Sequence, residues 1–105
     1  MVTSRETLEI ECSSDSVFSW LKTLSLPHMK VSKVDEKNRL VVINTSMSLF
    51  SWGERVEIIV IPNEHRCSVS FRSSTRHPIN PAADTNTPIR DIIEFLAEKC
   101  KNLGI

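Results

Sequence analysis

Glycine is nearly missing from this chain, with two in 105 residues. That shortage excludes phosphate-cradling loops, which need several glycines in a strand-to-helix turn. It equally excludes a G-x-S-x-G nucleophile elbow. There is no excess of either charge: thirteen basic residues balance thirteen acidic ones. Nucleic-acid binders usually carry a basic surplus because phosphate contacts supply most of their affinity, so no nucleic acid is expected as a partner. No run approaches the roughly 18 apolar residues of a membrane-spanning helix, and no membrane association is expected. The opening "MVTSRETLEIE" has no apolar core and carries acids, unlike a secretory signal. Cysteine is sparse and unpatterned. Cys12, Cys67 and Cys100 are odd in number and lack any C-x-x-C pair, so neither a disulfide framework nor a zinc site is expected. Each falls on an apolar face, where a thiol behaves as a small hydrophobe, and a reduced, cytoplasmic setting is the expectation.

What the chain does contain is regular periodicity. In "TLEIEC" Leu8, Ile10 and Cys12 face one way while Glu9 and Glu11 face the other, the period of a half-buried strand. "SSDSVFSWLKTLSLP" changes to helical spacing through Val17, Phe18, Leu21 and Leu24. Ser14 is the expected cap, Asp15 suits the first turn, and Pro27 bars continuation. Four strands follow: "MKVSKV", "RLVVINTSMSLF", "RVEIIVIP" and "CSVSFRS". They are separated by "DEKN", by "SWGE" with a bend at Gly53, and by "NEHR" after a stop at Pro62. "TPIRDIIEFLAEKCKNLG" closes the chain as a helix, with Thr87 as cap and Pro88 at the first helical position. Its apolar stripe is Ile89, Ile92, Ile93, Leu96, Cys100 and Leu103, Arg90 can pair with Glu94, and Gly104 can end it.

The order β-α-β-β-β-β-α over residues 1–105 predicts one α+β domain. Four consecutive strands with short turns favour antiparallel pairing, giving a five-stranded, mainly antiparallel sheet. Two amphipathic helices need one apolar sheet face, so both are expected on the same side. This order resembles the fold of TATA-box-binding-protein repeats and, more distantly, the helix-grip folds of plant-allergen-like lipid binders, whose cavity lies under a long last helix. This chain has few strands for such a cavity. The second half, "FRSSTR" followed by "DTN" and an Ile-led helix, resembles a bacterial family of unknown function. Its motif positions fall here on Arg72, Ser73, Ser74, Arg76, Asp84 and Asn86, with looser spacing and without the family's glycines. That resemblance implies no activity.

The polar stretch "SSTRHPINPAADTNTPIRD" holds Ser73, Ser74, His77 and Asp84, the ingredients of a hydrolytic triad without any flanking signature. A crossing and capping loop explains the same residues, and three prolines fix its path. The chain is therefore expected not to be an enzyme. His28, His65 and His77 are scattered without an i, i+4 pair, so no metal site is expected, and no cofactor is implied. Arg72, Arg76 and His77 could bind an anion near a helix N-terminus, although pairing of the arginines with Glu9, Glu11 or Glu57 is the plainer alternative.

One feature of the middle strands does not fit a one-sided sheet. If Val56, Ile58 and Val60 face the helices, Ile59 and Ile61 face away; likewise Leu40 and Val42 oppose Val41 and Ile43. Such a patch, extended by Phe50 and Trp52, commonly marks an interface. Two functions follow. The first is a non-catalytic domain acting by self-association, as a homodimer, or by binding an unidentified protein partner through Leu40, Val42, Phe50, Trp52, Ile59 and Ile61. The alternative is a small-molecule or anion-binding domain using the helix–sheet groove and the loop 73–88.

Overall fold

A computed structural model of the chain describes residues 3–45, 53–64, 66–75 and 86–103. The elements are β1 (Thr3–Ile10), α1 (Ser14–Lys22), β2 (Met29–Asp35), β3 (Leu40–Thr45), β4 (Glu54–Asn63), β5 (Arg66–Thr75) and α2 (Asn86–Leu103). The expected α+β class and order are observed. The sheet runs β1-β5-β4-β3-β2 with every neighbouring pair antiparallel. Consecutive strands β2 to β5 form a meander, while β1 returns to pair with β5. β1 and β2 thus occupy opposite edges, and α1 carries the chain across between them.

Period two decides which side each strand residue takes. Ile10, Val41, Ile43, Val56, Ile58, Val60, Cys67, Val69 and Phe71 all point to one face and are nearly or fully buried there. α1 covers β3 and β4, and α2 covers β1, β5 and β4 on that same side. α1 contributes Val17, Phe18 and Leu21; α2 contributes Ile89, Ile92 and Leu96. Each such side chain gains about 1.5–3 kcal/mol by leaving water. No helix among the described residues is long and apolar enough to cross a membrane.

Local chemistry departs from the sequence expectations at several points. The cap of α1 is Ser13, not Ser14: its hydroxyl accepts the Ser16 N–H at 3.2 Å. Asp15 holds Arg39 at 2.7 Å, and Arg39 lies over the Phe18 ring, so the N-terminal end of α1 is tied to the β2–β3 turn. In that turn Asn38 donates to both Asp35 oxygens, at 3.2 and 2.8 Å, and holds the Asp35 carboxyl below its ordinary range. Gly53 takes φ 97, the left-handed bend expected there. Pro62 does not stop β4, which continues to Asn63. The Val60 N–H donates to Arg39 O at 3.0 Å on the β3 side. Two residues on, the Pro62 nitrogen faces that same side beyond the end of β3, where no ladder bond is lost. At the end of α2, Leu103 is 61% exposed and lies outside the buried stripe. Arg90 and Glu94 form no ion pair among the described residues, and Gly104 lies outside them.

The cysteines require the largest correction. Cys12 and Cys100 are disulfide-bonded, with Cα atoms 6.1 Å apart across 88 residues of chain. The pairing joins the β1–α1 corner to the last turns of α2. It is set by three-dimensional proximity, which spacing does not encode. It also removes the basis on which a reduced setting was expected. Closing a loop of this length is worth about 4–5 kcal/mol in chain entropy. Cys67 remains a free, buried thiol, and burial, followed by the nearby Glu9 charge, raises its pKa. Thiol titration should therefore find one reactive group in unfolded, unreduced protein and three after reduction. Cys100→Ser should lower unfolding stability by up to about 4 kcal/mol in denaturant titration. Three thiols without reduction would show that the bond is not formed.

Candidate functional site

Inner-face positions turn polar at one end of the sheet. Along β5 the helix-facing residues run Cys67, Val69, Phe71 and then Ser73; along β4 they run Val60, Ile58, Val56 and then Glu54. Ser73 has no exposed surface, and its hydroxyl has no hydrogen-bond partner among the described residues. Glu54 is 8% exposed. Thr45, directly across from Glu54 on β3, donates its hydroxyl to Glu54 Oε2 at 2.5 Å and accepts the Glu54 N–H at 2.8 Å. One step further along this row lies Met29, the β2 partner of Thr45. Glu54 and Ser73 are diagonal neighbours on adjacent strands, about 7–8 Å apart at Cα. A hydroxyl and a carboxylate thus stand together in an otherwise apolar interior.

α2 covers this end with its N-terminal half. Ile89, Arg90 and Ile93 share a shallow groove with Glu6 of β1, while Cys100 is tied to Cys12 beyond the other end of β1. The helix therefore runs alongside β1 in the same direction, and its buried Pro88 and Ile89 lie toward Ser4 and Ser73. A second groove, of about 360 Å³, opens on the opposite flank of α2, between the helix and the connection from α1 to β2. Leu26, Pro27, His28 and Met29 form one wall; Asp91, Glu94, Phe95 and Glu98 form the other. His28 turns the chain into β2 with φ 65. Leu26, Met29 and Phe95 pack on the core margin and make the groove apolar at its base. The three carboxylates, at i, i+3 and i+7 on one side of the helix, have no ion-pair partner among the described residues. Lys99 lies over the Phe95 ring at 5.7 Å. Among the described residues no group of three or more His, Cys, Asp or Glu side chains is arranged to hold a metal ion.

The residues singled out from sequence are distributed differently. Arg72 is exposed on the sheet face away from the helices. Arg76, His77, Asp84, Phe50 and Trp52 lie outside the described residues. Ser73 and Ser74 are adjacent strand residues on opposite faces, so one hydroxyl points inward and the other outward. Leu40 is half-buried, Ile59 and Ile61 are 42% and 48% exposed, and Val42 is 1% exposed within the monomer although it shares their face. The acids proposed as partners for Arg72 and Arg76 are engaged otherwise: Glu57 with Arg55 at 3.4 Å, Glu11 with Arg66 at 3.6 Å, and Glu9 with the Ser68 hydroxyl at 2.6 Å. The groove beside α2 was missed, because its two walls are some 65 positions apart in the chain. Glu54 was missed as well. Its signal was a charged residue on the apolar parity of β4, two positions before Val56.

Comparison with solved structures identifies a class of fold. Norcoclaurine synthase from Thalictrum flavum superposes with a TM-score of 0.67 at 13% identity, covering 99% of this chain and 96% of that one. A START superfamily protein from Mycobacterium smegmatis gives 0.64 at 6% identity, with 96% and 98% covered. The di-domain ARO/CYC protein BexL of the BE-7585A biosynthetic pathway gives 0.67 at 11% identity, and this chain spans 99% of itself but 47% of BexL. The architecture is helix-grip, or START-like. At these identities the likeness concerns the fold alone. No family model and no curated protein matches the sequence, so the resemblance to a bacterial family of unknown function is not confirmed.

The expectation of a non-catalytic chain is overturned here. It rested on the lack of a recognisable catalytic constellation, yet norcoclaurine synthase is an enzyme built on this same architecture. A catalytic constellation is recognised by geometry and roles, not by sequence position, so the lack of a contiguous motif does not exclude one.

An unpartnered buried hydroxyl carries a desolvation penalty of about 1–3 kcal/mol. Ser73→Ala should therefore leave stability unchanged or raise it by about 1 kcal/mol in urea titration. A loss above 1 kcal/mol would mean that the hydroxyl is bonded in the folded protein.

Proposed function

We propose that this chain is a small-molecule-binding domain whose ligand lies between α2 and the α1–β2 connection. The observation that carries this reading is the groove of about 360 Å³ with Leu26, Met29 and Phe95 at its base. Its volume falls within the range of small-ligand sites, which are concave and apolar with a few placed polar groups. Helix-grip neighbours named for START and for small-molecule synthesis support the same class. The carboxylates of Asp91, Glu94 and Glu98 rim the groove and outnumber the one nearby cation, Lys99 over the Phe95 ring; no lysine or arginine is among the described lining residues. They favour a ligand with an apolar body and no negative charge, since like charge at close range costs affinity. At the Met29 end the groove meets the Thr45–Glu54 row, so Glu54 and Ser73 are the interior polar groups a deeper ligand would reach.

Two fluorescent probes of similar apolar character test this. Neutral Nile red should bind, and the anionic 1-anilinonaphthalene-8-sulfonate should bind at least about fivefold more weakly, a difference of about 1 kcal/mol. Phe95→Ala, verified as folded by its thermal transition, should weaken Nile red by a similar factor. Equal binding of the two probes, or no effect of Phe95→Ala, would refute the groove as the site.

Self-association remains a second reading because Ile59 and Ile61 stand 42% and 48% exposed on the helix-free face. A two-fold dimer joining these faces would bury both. The native mass should then be twice that of the chain, and Ile59→Glu should halve it. A wild-type protein that is already monomeric ends this reading.

A further inference from the structure

The helix-free face of the sheet carries a band of positive charge that the small-molecule reading does not use. Register places Arg5 of β1 directly opposite Arg72 of β5, and Arg72 directly opposite Glu57 of β4. Cβ atoms of such opposed pairs lie about 4.5–5.5 Å apart, and like charges so placed are destabilising. Arg55 is the diagonal neighbour of Arg72, two residues before Glu57 on β4. Continuing the same two rows across β3, Lys33 lies opposite Val42 and Lys30 opposite Asn44 on β2. In these two rows five basic side chains meet one acid, Glu57, which Arg55 holds at 3.4 Å, and Asp35 stands beside Lys33 in the next row. Arg5 and Arg72 have no ion pair and no hydrogen bond among the described residues.

We propose that Arg5 and Arg72 form a two-pronged site for a phosphate group on the helix-free face, with Arg55 and the hydroxyls of Ser70 and Ser74 at its margin. Ser70 and Ser74 lie two residues either side of Arg72 and share its face. Two guanidinium forks can each donate a pair of parallel N–H bonds to phosphate oxygens, a geometry lysine does not provide. A bound dianion also converts the Arg5–Arg72 repulsion into a bridged arrangement, so the unliganded face is held at a cost that the ligand relieves. The site suits a single phosphate rather than a nucleic-acid strand. Glu57 sits on one side of the pair, and Glu9, two rows away on the same face, repels an extended polyanion. The inference is independent of the groove beside α2, which lies on the opposite side of the sheet.

Inorganic phosphate and phosphatidylcholine vesicles containing phosphatidic acid are the two probes, because a phosphate group could come from solution or from a lipid headgroup. Phosphate should raise the unfolding midpoint by about 4 °C more than chloride at equal ionic strength, the shift expected when binding adds roughly 1 kcal/mol. The Arg5→Gln/Arg72→Gln double variant should lose that difference. In low salt without phosphate, its own midpoint should equal or exceed that of the wild type, because the repulsion is gone. Vesicle co-sedimentation that the double variant abolishes, without an effect of free phosphate, supports the site and assigns it to a headgroup. Binding of neither probe, or binding that survives in the double variant, overturns the proposal. A double variant less stable than the wild type also overturns it, since the arginines would then be structural partners.

Discussion

Burial of the helix-facing side of β4 and β5 is the interaction from which the rest of the molecule follows. These two central strands supply Val56, Ile58, Val60, Cys67, Val69 and Phe71, all nearly or fully out of water, and both helices pack against β4. α1, at nine residues, is too short to be stable alone, both helices draw their stability from packing an apolar face, and a single sheet layer cannot hide its apolar side. The order β1-β5-β4-β3-β2 makes this possible. With β1 and β2 at opposite edges, α1 has to cross the sheet, and it lands on β3 and β4. α2 then fills the remaining half over β1 and β5. The groove beside α2 is the seam where these two coverings meet.

Most of the fold was legible because it depends on period. Alternation in "TLEIEC" and "CSVSFRS" and the stripe Ile89, Ile92, Leu96 each state a local preference that the tertiary structure also requires. The two-sided aliphatic pattern of β4 was legible in the same way, and Ile59 and Ile61 do face away from the helices. What failed was long-range. Cys12 and Cys100 read as separate hydrophobes because nothing in their spacing reveals that α2 ends beside the β1–α1 corner. Pro62 read as a stop because its effect depends on which edge of β4 is paired at that point. The groove is the extreme case, with a wall from a connection and a wall from a helix face, neither carrying a motif. Glu54 was a break in the pattern of β4, and such breaks are where function departs from folding economy.

The two faces of the sheet are chemically distinct. Toward the helices the residues are apolar until Ser73, Glu54 and Thr45 interrupt them at one end. On the opposite side apolar and basic bands lie next to each other, Leu40, Ile59 and Ile61 in one and Arg5, Arg72 and Arg55 in the other. Net charge conceals this separation. Thirteen bases and thirteen acids sum to zero, yet the acids Asp91, Glu94 and Glu98 gather on α2 while the arginines gather across the sheet. Composition speaks to the average field, whereas binding depends on the local one.

The interior around Ser73 is closed: Ile43, Val56, Phe71, Ile89 and Ile92 beside it are at most 1% exposed. A ligand that reaches Ser73 and Glu54 has to displace packed side chains, those of α2 among them. The two ends of that helix are held by different means. Near the C-terminus a covalent bond fixes Cys100 to Cys12, whereas Pro88, Ile89 and Ile92 near the N-terminus are held by packing. Packing of this kind is individually weak and reversible, and a disulfide is neither. The covalent clamp and the polar interruption sit at opposite ends of the same helix.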